Sequence, residues 1–120
     1  MNAGARLRLD HAERLLTGAD LAGVWPRCTA WLLRLALEHA LAHLWMSRYP
    51  EVNSCPMRAQ LLALTKVVDT DTQHRASELW QTLSRAGHHH HYELSPTAAE
   101  LRTWLAEARV IVTQLDNAAE

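Results

Sequence analysis

Between Pro26 and Arg48 the chain reads PRCTAWLLRLALEHALAHLWMSR, and this stretch limits the fold more than any other. At 100° per residue, Leu33, Leu37, Leu41 and Leu44 fall on one arc of a helix. Leu32, Leu35 and Ala36 form a second arc, into which His39 and His43 project. Arg34 and Glu38, an i,i+4 pair, share a third side with Trp31 and Trp45. A helix apolar around most of its circumference is either central to a bundle or sandwiched between the bundle and a partner chain. Arg34, Glu38, His39 and His43 interrupt the apolar run, which argues against a membrane span.

The rest of the sequence supplies helices to pack around this one. Leu9, Ala12, Leu15 or Leu16, and Ala19 recur at three-to-four spacing, which predicts a helix from Arg6 to Ala19. Tyr49-Pro50 ends the long helix, and PEVNSCP reads as a loop. A shorter helix is expected from Met57 to Val68, with Leu61, Leu62, Leu64 and Val67 apolar. Asp69-Thr70-Asp71-Thr72 is a cap-rich break, followed by a helix from about Thr72 with Ala76, Leu79, Trp80 and Leu83 facing inward. Ser95 as cap and Pro96 at the first helical position predict the start of the last helix. That helix carries Leu101, Trp104, Leu105, Ala108, Ile111, Val112 and Leu115 in a sustained 3-4 repeat. No strand pair is legible. The expected fold is all-α, an antiparallel four- to five-helix bundle spanning residues 1–120 as a single domain.

Bulk composition restricts function without choosing one. Twelve basic and thirteen acidic side chains leave a formal charge of −1, with no block of like charge. That argues against tight, sequence-independent nucleic-acid binding, though not against RNA as a substrate that is cut and released. Cys28 and Cys55 have no ligand-like spacing. Residues 1–10 lack an apolar core before a small-residue cleavage site, so a cytoplasmic location is expected.

The feature that points to chemistry is SRAGHHHHYELSPT, residues 84–97. Within it, Arg85 is followed by four residues, then His90, one residue, and Tyr92. Cutting RNA at a 2′-hydroxyl needs a base, an acid for the leaving 5′-oxygen, and positive charge on the phosphorane. Histidine titrates near neutrality and can serve as base and acid. Arginine stays charged and offers phosphate a planar fork of donors. No metal or other cofactor is needed for that chemistry.

The Arg-x4-His-x-Tyr pattern, between the penultimate and last helices of a small α-bundle, resembles the HEPN family, especially its toxin-type members. The resemblance implies a homodimer that places two motifs across a two-fold axis and acts as a metal-independent endoribonuclease in toxin–antitoxin or phage-defence systems. His90 would be the acid/base, Arg85 the phosphate anchor and Tyr92 their support. It also implies a nucleotidyltransferase-like antitoxin partner that modifies the tyrosine. Ala86 departs from the family, which usually carries a polar residue there, often Asn, that helps position the Arg.

Two other readings stand beside this one. Arg85 and His90 also suit a helix end, where basic side chains complement the dipole and Gly87 reads as a C-cap. A non-catalytic helical interaction module would use the bundle in that way. Alternatively, His39 and His43 form His-x3-His on one helix face, and a third ligand such as His89 would complete a metal-dependent bundle enzyme. The plain role of the two helical histidines is a polar seam. Trp31 and Trp45, with Arg34 beside them, mark a side of the long helix as a dimerisation candidate.

Overall fold

The 3.6-residue periodicity of the apolar positions becomes five helices in the computed structural model, which describes residues 3–17, 25–87 and 95–120. They are α1 (Ala3–Thr17), α2 (Trp25–Arg48), α3 (Met57–Ala63), α4 (Thr70–Gly87) and α5 (Ala98–Ala119). Single 3-10 turns at Pro50–Ser54 and Leu64–Lys66 flank α3, and no strand occurs among the described residues. The fold is the expected all-α bundle.

α2 is the central element. Ala30, Leu33, Ala36, Leu37, Ala40, Leu41, Leu44 and Trp45 are all buried, and α1, α4 and α5 each pack on this helix. α1 contributes Ala5, Leu9, Ala12 and Leu16 from one stripe, and α5 contributes Leu101, Leu105, Ala108, Ile111, Val112 and Leu115. These side chains, with Leu61 and Leu64 and with Ala76, Leu79 and Leu83 of α4, form one core cluster. Consecutive long helices run antiparallel, which makes α2 and α5 parallel. Ser47 Oγ donates to the Ala119 carbonyl at 2.6 Å and Arg48 Nη1 to the Ala118 carbonyl at 2.7 Å. The last carbonyls of α5, which lack intrahelical donors, are thereby satisfied from the end of α2.

Element boundaries differ from the sequence reading where local hydrogen bonds decide them. The helix expected over Met57–Val68 tightens after Ala63, because Val67 N and Val68 N both donate to the Leu64 carbonyl, at 3.0 and 2.9 Å. α4 starts at Thr70, with Asp69 Oδ1 accepting from Thr72 N at 3.2 Å. α5 is capped by Thr97, two residues beyond the expected Ser95. Thr97 and Glu100 form a reciprocal capping box, with Glu100 N donating to Thr97 Oγ1 at 3.1 Å and Thr97 N to Glu100 Oε1 at 3.0 Å. The residue three beyond Ser95 is Ala98, which has no side-chain acceptor to return the bond. Gly87 is the last residue of α4 rather than the residue past it.

The largest revision concerns the two tryptophans paired on α2. Trp31 is 48% exposed, but Trp45 is fully buried within the single chain and cannot belong to a surface for a partner. The chain turns back directly after Trp45: Tyr49 N donates to its carbonyl, the 3-10 turn packs on α2, and Val52 joins the core. Which side of α2 is covered depends on how the other elements pack on it, which the wheel of α2 does not encode. Trp80 also departs from a purely apolar inward role. Its Nε1–H donates to Glu38 Oε2 at 3.0 Å, while Arg34 Nε lies 3.5 Å from the same oxygen. The Arg34–Glu38 pair is therefore partly buried between α2 and α4 rather than fully solvated.

Candidate functional site

Arg85 lies in the last turn of α4 with its side chain exposed. Among the described residues it makes no hydrogen bond or ion pair. Two other arginines of the bundle are held by carboxylates. Arg75 is held by Glu107 at 2.7 Å and Asp71 at 3.7 Å, and Arg109 by Asp10 at 3.2 Å and Glu13 at 3.5 Å. The Arg75–Glu107 hydrogen bond and charge pairing hold the Arg75 guanidinium even more firmly protonated than usual. Among the described residues, Arg85 thus has no ion-pair partner.

It lines a surface groove of about 430 Å³, together with Arg27 of α2 and with Thr97, Glu100 and Trp104 of α5. Arg27 is held there by its Nη1–H, which donates to the Ala86 carbonyl at 3.5 Å, the long limit of such a bond. Ala86 lacks the polar side chain of the motif it departs from, but its backbone brings a second arginine to Arg85. Trp104 is half-buried, one side of it against the core. Both α2 and α5 begin at this end, so the positive ends of two helix dipoles meet it. Among the described residues, the carboxylate that lines the groove is Glu100, which accepts from the Thr97 backbone N–H. Two guanidiniums and two helix N-termini, set against the single carboxylate of Glu100, make the described part of the groove suited to an anion.

The remaining motif positions, His90 and Tyr92, and the neighbouring His88, His89 and His91, lie outside the described residues. His39 and His43 are both exposed on α2. They are a polar strip on the helix rather than part of its packed arcs, and no group of three or more His, Cys, Asp or Glu side chains that could hold a metal occurs among the described residues. Among the described residues, no helix is long and apolar enough to cross a membrane.

Sequence reading found Arg85 through its motif but not Arg27 or Glu100, and it assigned Trp104 wholly to the core. Arg27 meets Ala86 across 59 positions of chain, and no local pattern signals such a contact. Glu100 was accessible: Thr-x-x-Glu ahead of an apolar run is a capping-box signature. The fold and the groove define a small all-α protein with a cationic recess at one end of its bundle. Comparison with family models, with curated proteins and with solved structures finds no match to this chain.

Proposed function

We propose that this protein is a HEPN-like, metal-independent endoribonuclease that works as a homodimer, with the Arg85 groove as its phosphate site. The observation that carries the reading is an exposed Arg85, without an ion-pair partner among the described residues, that lines a groove of small-ligand size together with Arg27. His90, five residues further along the sequence, takes the 2′-hydroxyl proton and returns a proton to the leaving 5′-oxygen. Arg85 donates to the phosphorane oxygens as charge builds there, and Tyr92 supports the pair. A toxin–antitoxin or defence setting, with a nucleotidyltransferase-like antitoxin, follows from the same resemblance.

Arg85→Ala and His90→Ala are each expected to lower RNA cleavage by ~10²–10⁴-fold, the usual weight of a general acid/base or a charge-stabilising donor. Arg85 is exposed, so its removal should change stability by no more than ~0.5 kcal/mol. Cleavage rates and thermal melts of the same samples check both halves. Unchanged cleavage in either variant defeats the assignment. His88→Ala and His89→Ala serve as controls, and equal loss from all the histidines would indicate metal or bulk charge instead.

A second reading draws on a different surface. A depression of about 490 Å³ between α3 and α4 is lined by Arg58, Leu62 and Trp80, and Leu62 is 64% exposed. An exposed leucine beside a tryptophan favours a helical interaction module, and absence of cleavage with any RNA would leave that reading standing.

A further inference from the structure

The depression between α3 and α4 has an apolar lining that is fixed before any ligand arrives. Leu61 is buried in the core cluster, and Trp80 packs against that cluster. The Trp80 Nε1–H is already bonded to Glu38 Oε2, so the indole brings hydrocarbon surface and no further donor to the recess. Leu62, 64% exposed, adds a second leucine to the lining. The polar part of the lining carries one sign of charge. Arg58 is exposed and makes no hydrogen bond or ion pair among the described residues. Ser77 and Gln81 are neutral, and Gln81 Nε2 donates to Ser77 Oγ at 3.5 Å, which leaves the serine O–H as a donor. Among the described residues, no carboxylate lines the recess. Its volume of about 490 Å³ falls within the range of about 300–1,000 Å³ typical of small-ligand sites, and it is more enclosed than the groove at Arg85.

We infer that this recess binds a small amphiphilic monocarboxylate, its hydrocarbon body against Leu61, Leu62 and Trp80 and its carboxylate on the Arg58 guanidinium. The body is held because moving apolar surface out of water is favourable in proportion to its area. The head is held because a guanidinium presents two parallel N–H donors that match the two oxygens of one carboxylate. One arginine neutralises one negative charge. A phosphate monoester is close to doubly charged above neutral pH and would keep an uncompensated charge beside the apolar lining. A neutral alcohol would leave the arginine fork unused. No described residue lines both this recess and the Arg85 groove, and the inference stands whether or not the chain cuts RNA.

The test titrates the full chain with octanoate, 1-octanol and octyl phosphate at pH 8. The indole N–H resonances of the five tryptophans report binding, with Trp80→Phe assigning the one that belongs to Trp80. Octanoate should move the Trp80 resonance saturably and bind more tightly than either analogue. Arg58→Gln should weaken octanoate binding by roughly tenfold or more, the usual weight of hydrogen bonds to a charged group, and leave octanol binding where it was. Arg58→Lys keeps the charge without the fork and should restore part of the loss. Leu62→Ser should weaken octanoate and octanol together, whereas Arg85→Ala should change neither. Arg58 and Leu62 are exposed, and circular dichroism melts establish that their variants are folded. If octanol or octyl phosphate binds as tightly as octanoate, the carboxylate assignment is overturned. Octanoate binding to Arg58→Gln within twofold of wild type overturns it as well. If millimolar octanoate leaves the Trp80 resonance in place, the recess is not the site and the inference falls, while the Arg85 reading is judged separately by cleavage.

Discussion

Asp69 shows how one side chain sets a boundary and a pH response together. Its carboxylate accepts from the Thr72 side chain and backbone, and these bonds hold its pKa below the ordinary 3.8. Folding therefore favours the ionised form. The resulting stability is complete above about pH 3.8 and is lost as the pH falls through the depressed value. Asp69→Asn keeps an acceptor at the cap without a titrating group, so its melting temperature should fall less steeply below pH 4 than that of wild type. Parallel melts between pH 2.5 and 6 measure this, and identical slopes would remove Asp69 from the acid response. At the same scale, the sequence made Arg85 visible but hid its companions. Arg85 belongs to a local pattern within eight residues, whereas Arg27 reaches the groove only after the chain has folded α2 against α4. Trp104 was legible as apolar, but the position of its exposed face was not.

The start of α5 illustrates what can be read from an element and what competes with it. Ser95-Pro96 and Thr97-x-x-Glu100 are overlapping start signals, and the second prevails because only it satisfies two backbone donors reciprocally. Thr97→Ala should destabilise the protein by ~1 kcal/mol, the usual cost of removing an N-cap side chain. Urea denaturation checks this, and Ser95→Ala serves as a control that should leave the midpoint where it is. The groove adds a second consequence, since Thr97 and Glu100 line it. Loss of the cap should therefore loosen RNA binding as well as the helix. Periodicity identified the buried faces of α1 and α5 almost residue by residue, because a stripe at three-to-four spacing has only one way to be covered. On α2 it found the buried arc of Leu33, Leu37, Leu41 and Leu44, but with an apolar residue on nearly every side it did not separate Trp31 from Trp45. Which tryptophan is covered there depends on the elements that pack on α2, and the same helix wheel is compatible with either outcome.

For the whole molecule, the burial of Trp45 narrows the surface left for self-association. On α2, Trp31 at 48% exposed, with the neighbouring exposed Cys28, and Met46 at 58% exposed are still open to a partner. Tryptophan is enriched among residues whose truncation most weakens interfaces. The proposed homodimer should therefore persist in light scattering at micromolar concentration and shift toward monomer in Trp31→Ala. A monomeric wild type would remove the two-fold site and leave each groove to act alone. The parallel pairing of α2 with α5 also has a bearing on the order of assembly. Antiparallel neighbours such as α1 and α2 can meet by closing a short connection. α2 and α5 are parted by α3, α4 and both their linkers, so their shared interface forms only after a long loop has closed. Helical bundles owe their speed to local contacts, and this one places an extensive part of its core in a non-local contact. Until α5 docks, the nascent chain holds α2 with one flank bare, and its apolar surface is open to other chains. The helix that completes the groove is thus also the one that ends the period of greatest exposure to aggregation.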